Sequence, residues 1–94
     1  MELFSLKGKT VAITGASSGF GHHFAGVLAK SGASLILGAR RLDKIQDRVT
    51  EINDAGGRAL GVALDVRDPD SCESFLGTAQ NEYGSVDVLI NNAG

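Results

Sequence analysis

Apolar residues along the chain fall into short segments that alternate between two periods. Thr10-Val11-Ala12-Ile13-Thr14 is continuous, β-branched and runs straight into glycines, which predicts a buried parallel strand. From Phe20 the period lengthens. Phe20, Phe24, Val27 and Leu28 stand at helical spacing on one face, and Lys30 and Gly32 supply a closing cation and a C-cap glycine. Ser34 to Leu37 reads as a second strand. Leu42, Ile45, Val49 and Ile52 then mark a second helical stripe, with Asp43 near its start and Gly56-Gly57 after its end. Ala59 to Leu64 is a third strand. Asp68-Pro69 opens a third helix, with Asp68 as cap, Pro69 in the first turn and Asp70 favouring the dipole. Its apolar face is Cys72, Phe75, Leu76, Ala79 and Tyr83, and Gly84 ends it. Val86 to Ile90 is a fourth strand, followed by Asn91-Asn92-Ala93-Gly94.

The order β-α-β-α-β-α-β with short connections implies an α/β fold, a parallel sheet with right-handed crossovers. The doubly wound, Rossmann-type arrangement places the strands in the order 3-2-1-4, with the first two helices on one face and the third on the other. Residues 1–94 are expected to form one unit, the N-terminal part of a single domain cut after its fourth strand. Such a chain is expected to leave much of the first and fourth strands exposed and the fourth as an open edge, and to be marginally stable and prone to associate.

Composition adds mainly exclusions. A formal net charge of −2 with 43% apolar residues gives no basic surface for nucleic acid, and Arg40-Arg41 is large enough for a single phosphate only. No apolar run approaches the ~18 residues of a membrane span, and no signal peptide is visible, so a cytoplasmic protein is expected. The single cysteine, Cys72, excludes an internal disulfide framework, and no metal site is expected. The thirteen glycines are informative because they sit at the ends of apolar segments, where turns and caps belong.

The chemistry centres on the first strand-to-helix turn, Thr14-Gly15-Ala16-Ser17-Ser18-Gly19-Phe20-Gly21. A helix N-terminus presents unpaired N–H groups and partial positive charge, which suit a pyrophosphate. Gly15, Gly19 and Gly21 let the backbone turn and approach a ligand closely, and Ser17 and Ser18 add hydroxyl donors. No Gly-Lys-Ser/Thr follows, so this is not a triphosphate-hydrolysing P-loop.

The spacing Thr-Gly-x-x-x-Gly-x-Gly resembles that of the short-chain dehydrogenase/reductase family, and the resemblance runs along the whole chain. Phe20 replaces the family's usual aliphatic residue. Asp65-Val66-Arg67-Asp68 matches the family's stretch after the third strand, which implies that Asp65 and Val66 border the adenine of the cofactor. Asn91-Asn92-Ala93-Gly94 matches the motif after the fourth strand, which implies that Asn92, Ala93 and Gly94 steady the sheet and border the nicotinamide ribose.

Cofactor choice turns on the end of the second strand, where an acidic residue would bind the ribose hydroxyls of NAD. Here Leu37-Gly38-Ala39-Arg40-Arg41 puts a neutral Ala39 there, and Arg40 follows. An arginine makes charge-assisted hydrogen bonds to a 2′-phosphate, so NADP is expected over NAD. Against this, Ser18 stands where the family's other phosphate-binding base sits when present, and Arg40 also reads as a solvated charge at a helix entry.

The family resemblance implies hydride transfer between NADP(H) and a small-molecule carbonyl or alcohol substrate, and a homo-oligomer at full length. The family's catalytic serine, tyrosine, lysine and asparagine lie beyond Asn-Asn-Ala-Gly, so no catalytic residue is assigned within the chain, which is expected to be inactive alone. The alternative is a non-catalytic dinucleotide sensor or regulatory module. Tyr83, with Asp87 rather than lysine four residues on, reads as core. Cys72 reads as a small buried hydrophobe, His22 and His23 as polar helix surface, and Asp68 and Asp70 as helix-start charges. Asp87 has a sequence context compatible with a turn hydrogen bond but no assigned role.

Overall fold

The computed structural model describes residues 5–17 and 19–92, with the Phe20 side chain outside the description. Four parallel strands, β1 (Thr10–Thr14), β2 (Ser34–Ala39), β3 (Arg58–Ala63) and β4 (Val88–Asn91), form one sheet in the order β3-β2-β1-β4. Between them run α1 (Gly19–Lys30), α2 (Gln46–Asp54) and α3 (Pro69–Tyr83). This is the 3-2-1-4 Rossmann order. Among the described residues, no helix is long and apolar enough to cross a membrane.

Side chains alternate across a strand, so each buried strand feeds two cores. Val11, Ile13, Leu35 and Leu37 point to one face, where they meet Ala25 of α1 and Val49 and Ile52 of α2. Ala12 and Ile36 point to the other and pack with Phe75 and Ala79 of α3. The helices therefore divide as two and one across the sheet. Gly38 makes the second packing possible: a Cβ there would lie 2.7 Å from Leu64 Cδ2 and 2.8 Å from Phe75 Cε1.

The element ends follow local chemistry. Pro69 starts α3, the Asp68 carboxylate accepts from Asp70 N–H at 3.0 Å, and Gly84 closes it at φ +90°. Gly32, at φ +97°, turns the chain out of α1.

Several expectations are corrected. The face of α1 is rotated: Gly21 and Ala25 are buried while Val27 is 46% exposed. Small residues let the helix axis approach the sheet, and this close approach outweighs the larger apolar surface of Val27. The second helical stripe is split into a 3-10 turn at Leu42–Lys44 and α2, with Ile45 between them at φ −116°, ψ −9°. Ile45 is thereby fully buried and Leu42 left 40% exposed. β2 continues to Ala39, β3 runs one residue earlier than expected, and β4 begins at Val88 because Val86 turns into the α3 core. β1 is buried along its whole length, since β2 and β4 flank it and Ala12 leaves room for α3. Of the two strands expected to be exposed, only β4 is, at Val88, Leu89 and Asn91. Cys72 is half-buried, with its thiol 3.7 Å from the Val66 carbonyl.

Candidate functional site

All four strands point their carboxyl ends to one edge of the sheet, and β1 lies between strands whose connections run in opposite directions. In open α/β sheets the ligand crevice forms at that switch point. A cleft of about 690 Å³ occupies it, lined by Gly15 and Ser17 after β1, Ala39 to Arg41 and Lys44 after β2, Leu64 to Arg67 after β3, and Asn92 after β4. Its size lies within the range of small-ligand sites.

The floor is built from main-chain geometry. Gly15 takes φ +65°, a left-handed conformation open to glycine, and sends the chain away from β1. Ala16 N–H donates to the Gly38 carbonyl at 3.0 Å, tying the turn to β2. The Thr14 hydroxyl donates to Asn91 Oδ1 at 2.8 Å, and Asn92 Nδ2 donates to the Gly15 carbonyl at 3.3 Å. The first and fourth strand ends are thus fastened together directly beneath the glycine turn.

The three glycines have different tasks. Gly19 is exposed at the start of α1, and a Cβ built there would meet nothing within 4 Å, leaving open space beside the helix N-terminus. Gly19 is not itself among the residues lining the cleft, but a helix N-terminus with open space beside it can take an anion. Gly21 is buried instead. Its Cβ would lie 2.8 Å from Asn92 Nδ2 and 2.8 Å from the Gly15 carbonyl, so it permits close packing and does not face the cleft.

Of the residues singled out from sequence, Gly15, Ser17, Arg40, Asp65, Val66 and Asn92 are brought together on the cleft wall. Ser18, Ala93, Gly94 and the Phe20 side chain lie outside the described residues. Three further basic residues line the cleft: Arg41, read from sequence only as part of a pair large enough for one phosphate, and Lys44 and Arg67, which had no assigned role. Arg41 pairs with Asp43 at 3.1 Å. Arg67 clasps Asp65, with Nε 3.1 Å from Oδ1 and Nη2 3.3 Å from Oδ2. These side-chain bonds, with the Arg67 main-chain N–H on the same carboxylate, hold the Asp65 carboxyl below the usual range, and the Arg40 charge adds to the effect. The only available signal was position: each base lies just past a strand end.

Tyr83 stands apart from the cleft, on α3, with its hydroxyl donating to the Leu35 carbonyl at 3.1 Å and Arg58 over its ring. His22 and His23 take part in no metal-binding cluster among the described residues.

The chain is similar to proteins of known class over nearly all its length. It is 43% identical over 91 residues to an uncharacterized oxidoreductase of Staphylococcus saprophyticus, covering 96% of this chain and 36% of that protein. A metagenomic short-chain oxidoreductase solved in complex with NADP superposes with a TM-score of 0.87 at 38% identity, over 94% of this chain and 40% of that one. A Haemophilus influenza oxidoreductase with bound NAD superposes at 0.93 with 27% identity, over 97% and 32%. The chain thus spans about a third of the length of the curated relatives it matches. Residues 9–94 match the model of the short chain dehydrogenase family, and with the glycine turn, the sheet order and the cleft in agreement, the chain belongs to that family.

Proposed function

We propose that this chain holds NADP, with the pyrophosphate at the Gly15–Gly21 turn, the adenine against Asp65 and Val66, and the 2′-phosphate at Arg40. The protein it represents is, on this reading, an NADP-dependent oxidoreductase acting on a carbonyl or hydroxyl carbon. The observation that carries the reading is the convergence of Gly15, Ser17, Arg40, Asp65, Val66 and Asn92, from four separate strand ends, on one cleft.

The residues fit the group. Gly19 leaves room at the helix N-terminus, and Ala39 puts no carboxylate at the end of β2 where a 2′-phosphate would be repelled. Bound NADP supplies the hydride-carrying nicotinamide. The chain's own residues bind and orient: the N-terminus of α1 faces the pyrophosphate, and Asn92, anchored to Gly15, borders the far end. The only tyrosine has its hydroxyl committed to the main chain of β2, so no proton relay is assigned within the 94 residues. Turnover by this chain alone is expected to be undetectable.

Similar solved structures hold NADP in one instance and NAD in another, so the choice rests on Arg40. One or two charge-assisted bonds favour NADP by roughly tenfold to a hundredfold. Calorimetric titration of the chain with NADP⁺ and NAD⁺ tests this. Arg40→Ala is expected to bring the two affinities together. Equal affinities in the unaltered chain would overturn the preference, and binding of neither would overturn the cofactor reading.

A further inference from the structure

Asp65 is the only carboxylate among the described residues lining the cleft, and it sits with four cations, Arg40, Arg41, Lys44 and Arg67. A carboxylate beside Arg40 is a hazard for a site that takes a phosphate. It repels the dianion, and it competes for the arginine meant to bind it. The structure meets this hazard with Arg67, which engages both carboxylate oxygens at 3.1 and 3.3 Å while its main-chain N–H donates to Oδ1 at 3.0 Å. The remaining cations divide cleanly. Arg41 is paired with Asp43, which lies outside the cleft lining, whereas Arg40 and Lys44 make no ion pair among the described residues.

We infer that Arg67 is a specificity-determining residue: by clasping Asp65 it neutralises the one carboxylate of the cleft and leaves Arg40 and Lys44 available for a 2′-phosphate. The inference rests on the proposed binding of NADP in this cleft. Arg67 acts through Asp65, so it is a positioning residue whose signature is a change in preference between the two dinucleotides. Adenine contacts are common to NAD and NADP and cancel in that ratio.

Arg67 is 68% exposed, so its replacement leaves the core intact. The experiment is calorimetric titration of the 94-residue chain with NADP⁺ and NAD⁺ at fixed moderate salt, in four forms: unaltered, R67Q, R67K and the double variant D65N/R67Q. R67Q is expected to lower the NADP-over-NAD ratio at least fivefold while NAD⁺ affinity stays within about twofold. R67K keeps a charge beside Asp65 and is expected to retain most of the ratio. The double variant removes the carboxylate and is expected to restore it. A ratio unchanged in R67Q, an equal loss for both dinucleotides, or no recovery in the double variant would overturn the role of Arg67 while leaving the cofactor reading standing. Equal affinities in the unaltered chain would overturn the 2′-phosphate reading itself, and this inference with it.

Discussion

Asp87 and Thr10 close the lower end of the central strand pair from 77 positions apart: Asp87 Oδ2 accepts from Thr10 N–H at 2.8 Å, and Asp87 N–H donates to the Thr10 carbonyl at 2.9 Å. Thr14 and Asn91 close the upper end with a 2.8 Å bond between side chains. The register of β1 on β4, and hence the placement of Asn92 beneath the glycine turn, is clamped at both ends.

Removing the Asp87 carboxylate leaves the N–H of buried Thr10 without its acceptor. Asp87→Ala is expected to cost about 1–3 kcal/mol, the penalty for an unsatisfied buried donor. Asp87→Asn keeps an oxygen acceptor and is expected to cost less. Urea unfolding midpoints of the two variants check the order. A midpoint for Asp87→Ala equal to that of the unaltered chain would show that the side chain carries no part of the clamp.

The glycines of the turn are expected to separate stability from binding. Gly21→Ala drives a Cβ to 2.8 Å from the Gly15 carbonyl and 3.1 Å from Ala16 Cα, main-chain atoms with little freedom to move. A loss of about 1–3 kcal/mol follows from such overpacking. Gly19→Ala meets nothing and is expected to leave the unfolding midpoint nearly unchanged while weakening dinucleotide binding, because on the proposed reading the new methyl would stand beside the pyrophosphate. Paired unfolding and titration of both variants distinguish the two roles.

Tyr83 is the only tyrosine and the chain has no tryptophan, so absorbance near 295 nm follows this phenol alone. Burial pushes it above the ordinary tyrosine value, with Arg58 opposing and Glu82 reinforcing the shift. A folded-state value raised above the unfolded one contributes stability that is complete below about pH 10 and lost as pH rises through the folded value. The expected titration has its midpoint above pH 10 with stability falling alongside it. Tyr83→Phe is expected to abolish the signal and to cost about 1 kcal/mol through the lost bond to Leu35. An ordinary midpoint would contradict the burial seen here.

Phe75 is the largest fully buried side chain among the described residues, in the α3 core, and Leu89 lies on exposed β4 at 53%. Phe75→Ala is expected to cost about 3–5 kcal/mol, a large part of a small domain's total stability. Leu89→Ser is expected to cost well under half of that. Leu89 pairs with Ala12 and so lies on the same face as Phe75, and thermal or urea unfolding of both measures how unevenly that face holds the fold.

The sequence by itself determined the alternation of strand and helix, the 3-2-1-4 order, the glycine turn and both ends of α3. All but the strand order are written in neighbouring residues, as β-branched runs, the Asp68-Pro69 start, and glycines where a positive φ or a close approach is required; the order follows from the rule for doubly wound sheets. It also placed Gly15, Ser17, Arg40, Asp65, Val66 and Asn92 at strand ends, and parallel topology carries all strand ends to one edge. Tertiary structure alone decided which face α1 buries, because the benefit of Gly21 and Ala25 appears only when the sheet and Asn92 are there to be approached. It alone joined Thr10 to Asp87, and it alone brought Arg67 and Asp65 to the cleft that holds Arg40. Local sequence records a charge on a loop. Which charges share a cleft depends on distances between loops that only the folded sheet establishes.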